Sequence, residues 1–279
     1  MKPAVAALFA VSAVIVGIGA PAAQVQRADT EQLVGLGAAF ARALFNGLAN
    51  VVAEERYVQQ TTAPRRERVL RSEFYMVRYP GAAGWLAFRD VVEVDGAPVG
   101  RPDGRLQQLF AEPPRDVLAR AAEIAREGAR HNLRDIGSVN NPLFAIAMLQ
   151  PAYSPRFRFS AGAPDGEAGP DVRQLRFEEW RTPTLLRGVS RTDLATGGRI
   201  WLDEKTGRVL KTELEVGQMR FPPRIETLFA FDEGLGIHVP VEMRDWYPDG
   251  VGEIRGVATY GRFRRFQVKT SEAITGPGQ

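Results

Sequence analysis

From residue 199 onward, apolar and polar side chains alternate with a period of two, the spacing that sends successive side chains to opposite faces of a strand. On 208–216, Leu210, Leu214 and Val216 share one face. On 225–231, Ile225, Phe229 and Phe231 do, and on 237–247, Ile237, Val239, Val241 and Met243 do. Turn-forming stretches, DEKTG at 203–207 and DEGLG at 232–236, separate the runs, and 253–268 reads as a last long strand. Short connections between successive strands imply an antiparallel meander, and a meander of this length curls and needs a cover over one face.

The front of the chain supplies the cover. Leu33, Leu36, Phe40 and Leu44 recur at helical spacing, with Asp29 and Gln32 placed like a capping box and Asn46-Gly47 as a stop. Strands are predicted over 66–79 and 84–94, the latter ending at the Asp95-Gly96 hairpin turn. Asp90 falls on the apolar face of that strand, where a bulge that turns it outward is expected. A second helix starts at Pro113-Pro114, with Asp116 in its first turn and Arg126, Arg130 and Arg134 towards its end. A short third one opens at Asn141-Pro142 and closes at Pro151, and 161–171 reads as a polar loop. The fold class expected is α+β, predominantly antiparallel β: a curved, open half-barrel sheet covered by about three helices.

Residues 1–23 carry an export pattern: Lys2, an apolar run over 4–18, then small residues at Gly19-Ala20-Pro21-Ala22-Ala23. Cleavage after Ala22 or Ala23 is expected, an uncleaved N-terminal anchor being the other reading. The rest is read as one β-rich domain over 24–269 with a disordered tail over 270–279. The chain has no cysteine, which excludes disulfides, thiolate metal sites and a lipidated cysteine. Its formal net charge is +3, and all but four of its 36 basic residues are arginines dispersed among acids. That describes a mixed-charge surface rather than a nucleic-acid footprint. The densest basic stretch, Arg262, Arg264, Arg265 and Lys269, reads as an exposed strand kept soluble by charge.

Candidate chemistry is sparse. The two histidines, His131 and His238, lack the further ligands a zinc site needs. Gly188-Val189-Ser190-Arg191-Thr192 lacks the second glycine of a nucleophile elbow, and no phosphate loop, His-Glu-x-x-His or calcium loop occurs. The pairs Glu54-Glu55 and Glu178-Glu179 put adjacent residues on opposite faces of a strand, so neither makes an acid/base couple alone. No catalytic residue, metal ligand or cofactor site is assigned.

The segment from Ile200 to Leu214, IWLDEKTGRVLKTEL, with its Trp-x-Asp strand end and Thr-Gly turn, resembles the hairpin of periplasmic lipoprotein carriers. It is also similar to the N-terminal domain of periplasmic sensors that regulate envelope-stress sigma factors. The likeness continues through the strands around 232–236 and covers 199–247. The front half looks more like an uncharacterised class of exported bacterial proteins. The resemblance implies a half-barrel whose concave face binds acyl chains, and hence a periplasmic or secreted protein with a lipid or lipoprotein partner. Strand phase then offers Leu210, Leu214, Ile225, Phe229, Phe231 and Met243 as ligand-binding candidates, against their ordinary reading as sheet core. The alternatives are an interaction or scaffold domain with a filled core and a hydrolase using carboxylates from separate strands.

Overall fold

In the computed structural model, the described residues are 20–79, 85–100, 103–133, 141–188, 190–217, 220–248 and 252–269. The apolar run of the export pattern and the expected tail from 270 lie outside them, as do Arg134 and Val189. Helix α1 (Ala20–Gly47) stops where Asn46-Gly47 predicts but begins earlier than Asp29. Asp29 and Gln32 are therefore interior to it, and Asp29 faces Arg173 across 3.5 Å instead of capping.

The strands are β1 (Val51–Thr62), β2 (Arg65–Val77), β3 (Leu86–Val94), β4 (Ala97–Pro98), β5 (Phe157–Pro164) and β6 (Val172–Glu179). They continue with β7 (Leu186–Arg187), β8 (Asp193–Leu194), β9 (Thr196–Asp203), β10 (Val209–Val216), β11 (Arg224–Asp232), β12 (Ile237–Pro248) and β13 (Glu253–Arg265). Eleven of them form one antiparallel sheet in the order β4-β3-β2-β1-β13-β12-β11-β10-β9-β6-β5, while β7 and β8 make a small ribbon. β4 and β5 end the order, so the sheet is an open half-barrel. The meander is joined to the front strands by β13 pairing with β1.

Local chemistry explains the hairpins. Asp95 and Gly96 both have positive φ (51° and 84°), the requirement of the tight turn that pairs Val94 with Ala97. In the 203–207 turn, one Asp203 oxygen accepts from the Lys205 and Thr206 amides and the Thr206 hydroxyl. These bonds, the Thr206 amide first, lower the Asp203 pKa. Gly207 then takes φ 71°, and a Cβ there would lie 2.6 Å from the Leu36 carbonyl oxygen. The turn needs glycine both to fold and to receive α1.

The sheet is covered on both faces, which corrects the expectation that all helices cover one. Val51, Tyr57, Phe74 and Met76 point into the concave core with Leu44 and Phe45 of α1 and Leu48 just after it. Their strand neighbours Val52, Tyr75 and Val77 point to the convex side, against Leu106 and Phe110 of α2 (Arg105–Ala111) and Val117 and Ala121 of α3 (Val117–Ala129). The sequence pattern missed α2 because seven residues show too little periodicity. Helix α3 matches the element expected after Pro113-Pro114, with Asp116 at its N-cap, and α4 (Phe144–Ala147) matches the short third helix. Strand β5 was also missed: its first residues Phe157 and Phe159 alternate, but Gly162 and Pro164 read as loop. As the edge strand, β5 accommodates Pro164 without losing a ladder bond.

Asp90 departs from expectation. A bulge is present, since Ser72 pairs with Val91 and Arg71 with Glu93, skipping Val92. Asp90 nevertheless stays buried at 1% exposure, and Arg105 satisfies it through two hydrogen bonds of 2.7 Å. The charge is tolerated because α2 brings a guanidinium to it.

Candidate functional site

A cavity of about 520 Å³ opens on the concave side between the end of α1, the β2–β3 edge and α4. That volume lies in the usual range for small-molecule sites. Phe45 comes from α1 and Leu48 from just after it, Met76 from β2, Trp85 from just before β3 and Leu86 from its start, and Phe144, Ala147 and Met148 from α4 and its end. Phe45 and Trp85 stand 5.8 Å apart between ring centroids, and Arg78 lies 5.7 Å from the Trp85 ring. Across the opening of the half-barrel, Leu185 completes the wall. Its amide donates to Glu179, which is buried and also accepts from the Thr196 amide and hydroxyl. Asn141 and Gln150 are among its few polar lining residues. The surface is suited to an aliphatic chain, at about 0.8 kcal/mol for each methylene removed from water.

Beside this cavity the concave face carries buried charge. Adjacent Glu54 and Glu55 face opposite ways: Glu54 meets Arg262 outside, and Glu55, 1% exposed, meets Arg89 inside. Arg89 grips Glu55 with two donors, Nη2 reaching Oε1 at 2.6 Å, and lies 5.4 Å from the Tyr57 ring. Burial alone would lower the Arg89 pKa; the Glu55 carboxylate more than offsets it and holds the guanidinium above its ordinary value. The Tyr57 hydroxyl donates to Asp245 Oδ2 at 2.6 Å, and burial followed by the Asp245 charge raises the Tyr57 pKa well above normal. Burial also pushes the Asp245 carboxyl up to about 6, against the opposing Tyr57 hydrogen bond and the Arg89 charge. Asp245 Oδ1 has no hydrogen-bond partner among the described residues. Room for this pair exists because residue 256 is glycine: a Cβ there would collide with Asp245 Oδ1 and the Tyr57 ring.

The strand-phase candidates lie elsewhere, and none of the six lines the cavity. Leu214, Ile225, Phe229 and Met243 are packed core, between 0% and 6% exposed. Leu210 falls on a bulge in β10, so Val209 takes the inward position in its place. Phe231, at 56% exposure, sits at the end of β11 edge-on to His238, which in turn meets Phe40. Burial, then Arg208, lowers the His238 pKa. The Trp201 of the hairpin motif donates to Asp165 at 2.7 Å, tying the loop that follows β5 to the sheet. Period-two alternation could not reveal the cavity, because much of its lining comes from helices and from the strand ends beside them. The apolar α4 segment and the Gly-Trp-Leu-Ala-Phe stretch were the available signals.

Among the described residues, no group of three or more His, Asp or Glu side chains could hold a metal ion, and no helix is long and apolar enough to cross a membrane.

No family model matches the chain, and no curated protein matches it. Among solved structures, it is similar to a putative outer membrane lipoprotein-sorting protein domain from Vibrio parahaemolyticus. That likeness has a TM-score of 0.45 and 15% identity, covering 86% of this chain and 94% of that one. A DUF1329 family protein from Desulfovibrio piger follows at TM-score 0.39 and 11% identity, covering 85% and 95%. A LolA superfamily protein from Nitrosomonas europaea follows at 0.36 and 10%, covering 82% and 95%.

Proposed function

We propose that the protein is an exported binding protein of the cell envelope that holds the acyl chain of a lipid or lipidated partner. One observation carries the reading: an open, predominantly apolar cavity of about 520 Å³ on the concave side of the half-barrel. The export pattern of residues 1–23 and the resemblance of the 200–214 hairpin to lipoprotein carriers point the same way. The ligand wall is Phe45, Met76, Trp85, Phe144 and Met148 rather than the strand-phase residues, and the β9–β12 half of the concave face acts as a packed wall.

Titration of the purified protein with a fluorescent fatty acid, beside native mass spectrometry of protein taken from membranes, tests this. Saturable binding and a co-purifying lipid are expected. Ala147→Trp, which fills the cavity, should weaken probe binding at least about tenfold, a difference of about 1.4 kcal/mol. Absence of both lipid and saturable binding, or an Ala147→Trp protein that binds as the parent does, overturns the assignment.

A further inference from the structure

One end of the sheet presents exposed aromatic rings set among arginines. Register places them together: Glu178 of β6 pairs with Gly197 of β9, Thr196 of β9 with Val216 of β10, and Glu215 of β10 with Arg224 of β11. The residues just past these pairs therefore lie along one rim, and the Gly217 amide donates to the Ala195 carbonyl across it at 2.8 Å. Trp180 and Phe221 project from this rim at 48% and 59% exposure, two of the four large apolar residues exposed among the described residues. Arg158 and Arg181 flank the Trp180 ring at 5.5 and 5.2 Å, and Arg220 lies 5.3 Å from the Phe221 ring.

Arginine predominates on this rim, where the exposed carboxylate of Glu178 stands opposite Arg158 in the β5–β6 register. Asp193 is engaged by Arg187 and Glu215 by Arg224, while Glu179 is buried beneath the surface. Arg181, Arg191 and Arg220 are exposed and have no ion pair among the described residues. An amphipathic indole and an apolar phenyl ring, interleaved with surplus arginine, suit the headgroup layer of an anionic bilayer. Leu185, between Trp180 and the β7–β8 ribbon, lines the cavity, so the rim and the cavity share a boundary.

We propose that this rim docks the protein on an anionic phospholipid surface, with Trp180 and Phe221 entering the interface and Arg181, Arg191 and Arg220 meeting phosphates. The docking rests on the rim alone, though it would bring the cavity to the bilayer. Co-sedimentation of the full chain with phosphatidylcholine vesicles, and with vesicles that also contain phosphatidylglycerol, measures it. Binding should favour the phosphatidylglycerol vesicles and weaken as salt rises. Neutralising the three arginines should lower it about fivefold for each. The double variant Trp180→Ser, Phe221→Ser should lower it at least about tenfold at unchanged thermal stability, since both rings are exposed. The apolar run at 4–18 is present in every variant, so differences between variants report the rim. Ala147→Trp should dock normally while losing the fatty-acid probe, which separates failure of the docking from failure of the cavity. Equal binding to both vesicle types, or undiminished binding by the double variant, overturns the proposal and leaves the basic rim to an acidic protein.

Discussion

The concave face has two unlike halves. Over β9–β12, Ile200, Leu214, Ile225 and Met243 interlock into a dry wall of the kind a period-two pattern announces. Over β1–β3 and the far end of β12 the same face carries Glu55, Arg89, Tyr57 and Asp245, and next to them the helices leave a hollow. Alternation therefore reports which side chains are sheltered and says little about whether the shelter is full. The unfilled space appears where α1 ends and α4 spans only one turn, too short to cover the Trp85 side of the opening.

The contrast can be broken most forcefully at Glu55. Glu55→Ala leaves the Arg89 guanidinium buried without its carboxylate, and a loss of about 3–5 kcal/mol is expected in urea unfolding. A loss under about 1 kcal/mol would mean that the pair is solvated, contrary to its burial. On the packed half, Met243→Ala should cost about 2–5 kcal/mol through lost burial and the void left behind, without altering fatty-acid probe affinity. A comparable drop in probe affinity would show that the hollow extends into the wall.

Asp245 gives the subtler distinction. Its folded pKa, about 6, is above the ordinary 3.8 because burial disfavours the charged form. The stability it allows is complete below about pH 4 and declines as pH rises through 6, the folded state holding the proton longer than the unfolded one. The difference corresponds to a penalty on the order of 2–3 kcal/mol at neutral pH. Asp245→Asn should relieve that penalty, raise the thermal midpoint at pH 7.5 and flatten the stability profile between pH 4 and 6. Thermal melts showing the same slope in parent and variant would assign the pH dependence to other groups.

Much of the architecture was legible because hairpin chemistry is local: Asp95-Gly96 and 203–207 dictate their turns from their own residues. The candidate site was not. Leu210 shifted out of phase at a bulge that depends on its pairing with β9, and Phe231 alternates correctly but lies beyond the cover that α1 provides. Asp90 was conspicuous in the sequence, whereas its partner Arg105 sits on a helix too short to be recognised. Bulges, buried ion pairs and hollows are all settled between distant segments, where no single window of sequence holds the answer.

The pairing of β1 with β13 has a consequence for how the chain is made. A seam within the sheet joins the first strand to the last, so β1 lacks one neighbour until nearly the whole polypeptide exists. Contacts so remote in sequence form slowly. Such a late-closing seam leaves the front strands without their full pairing until the end of synthesis and makes closure of the half-barrel one of the last events of folding.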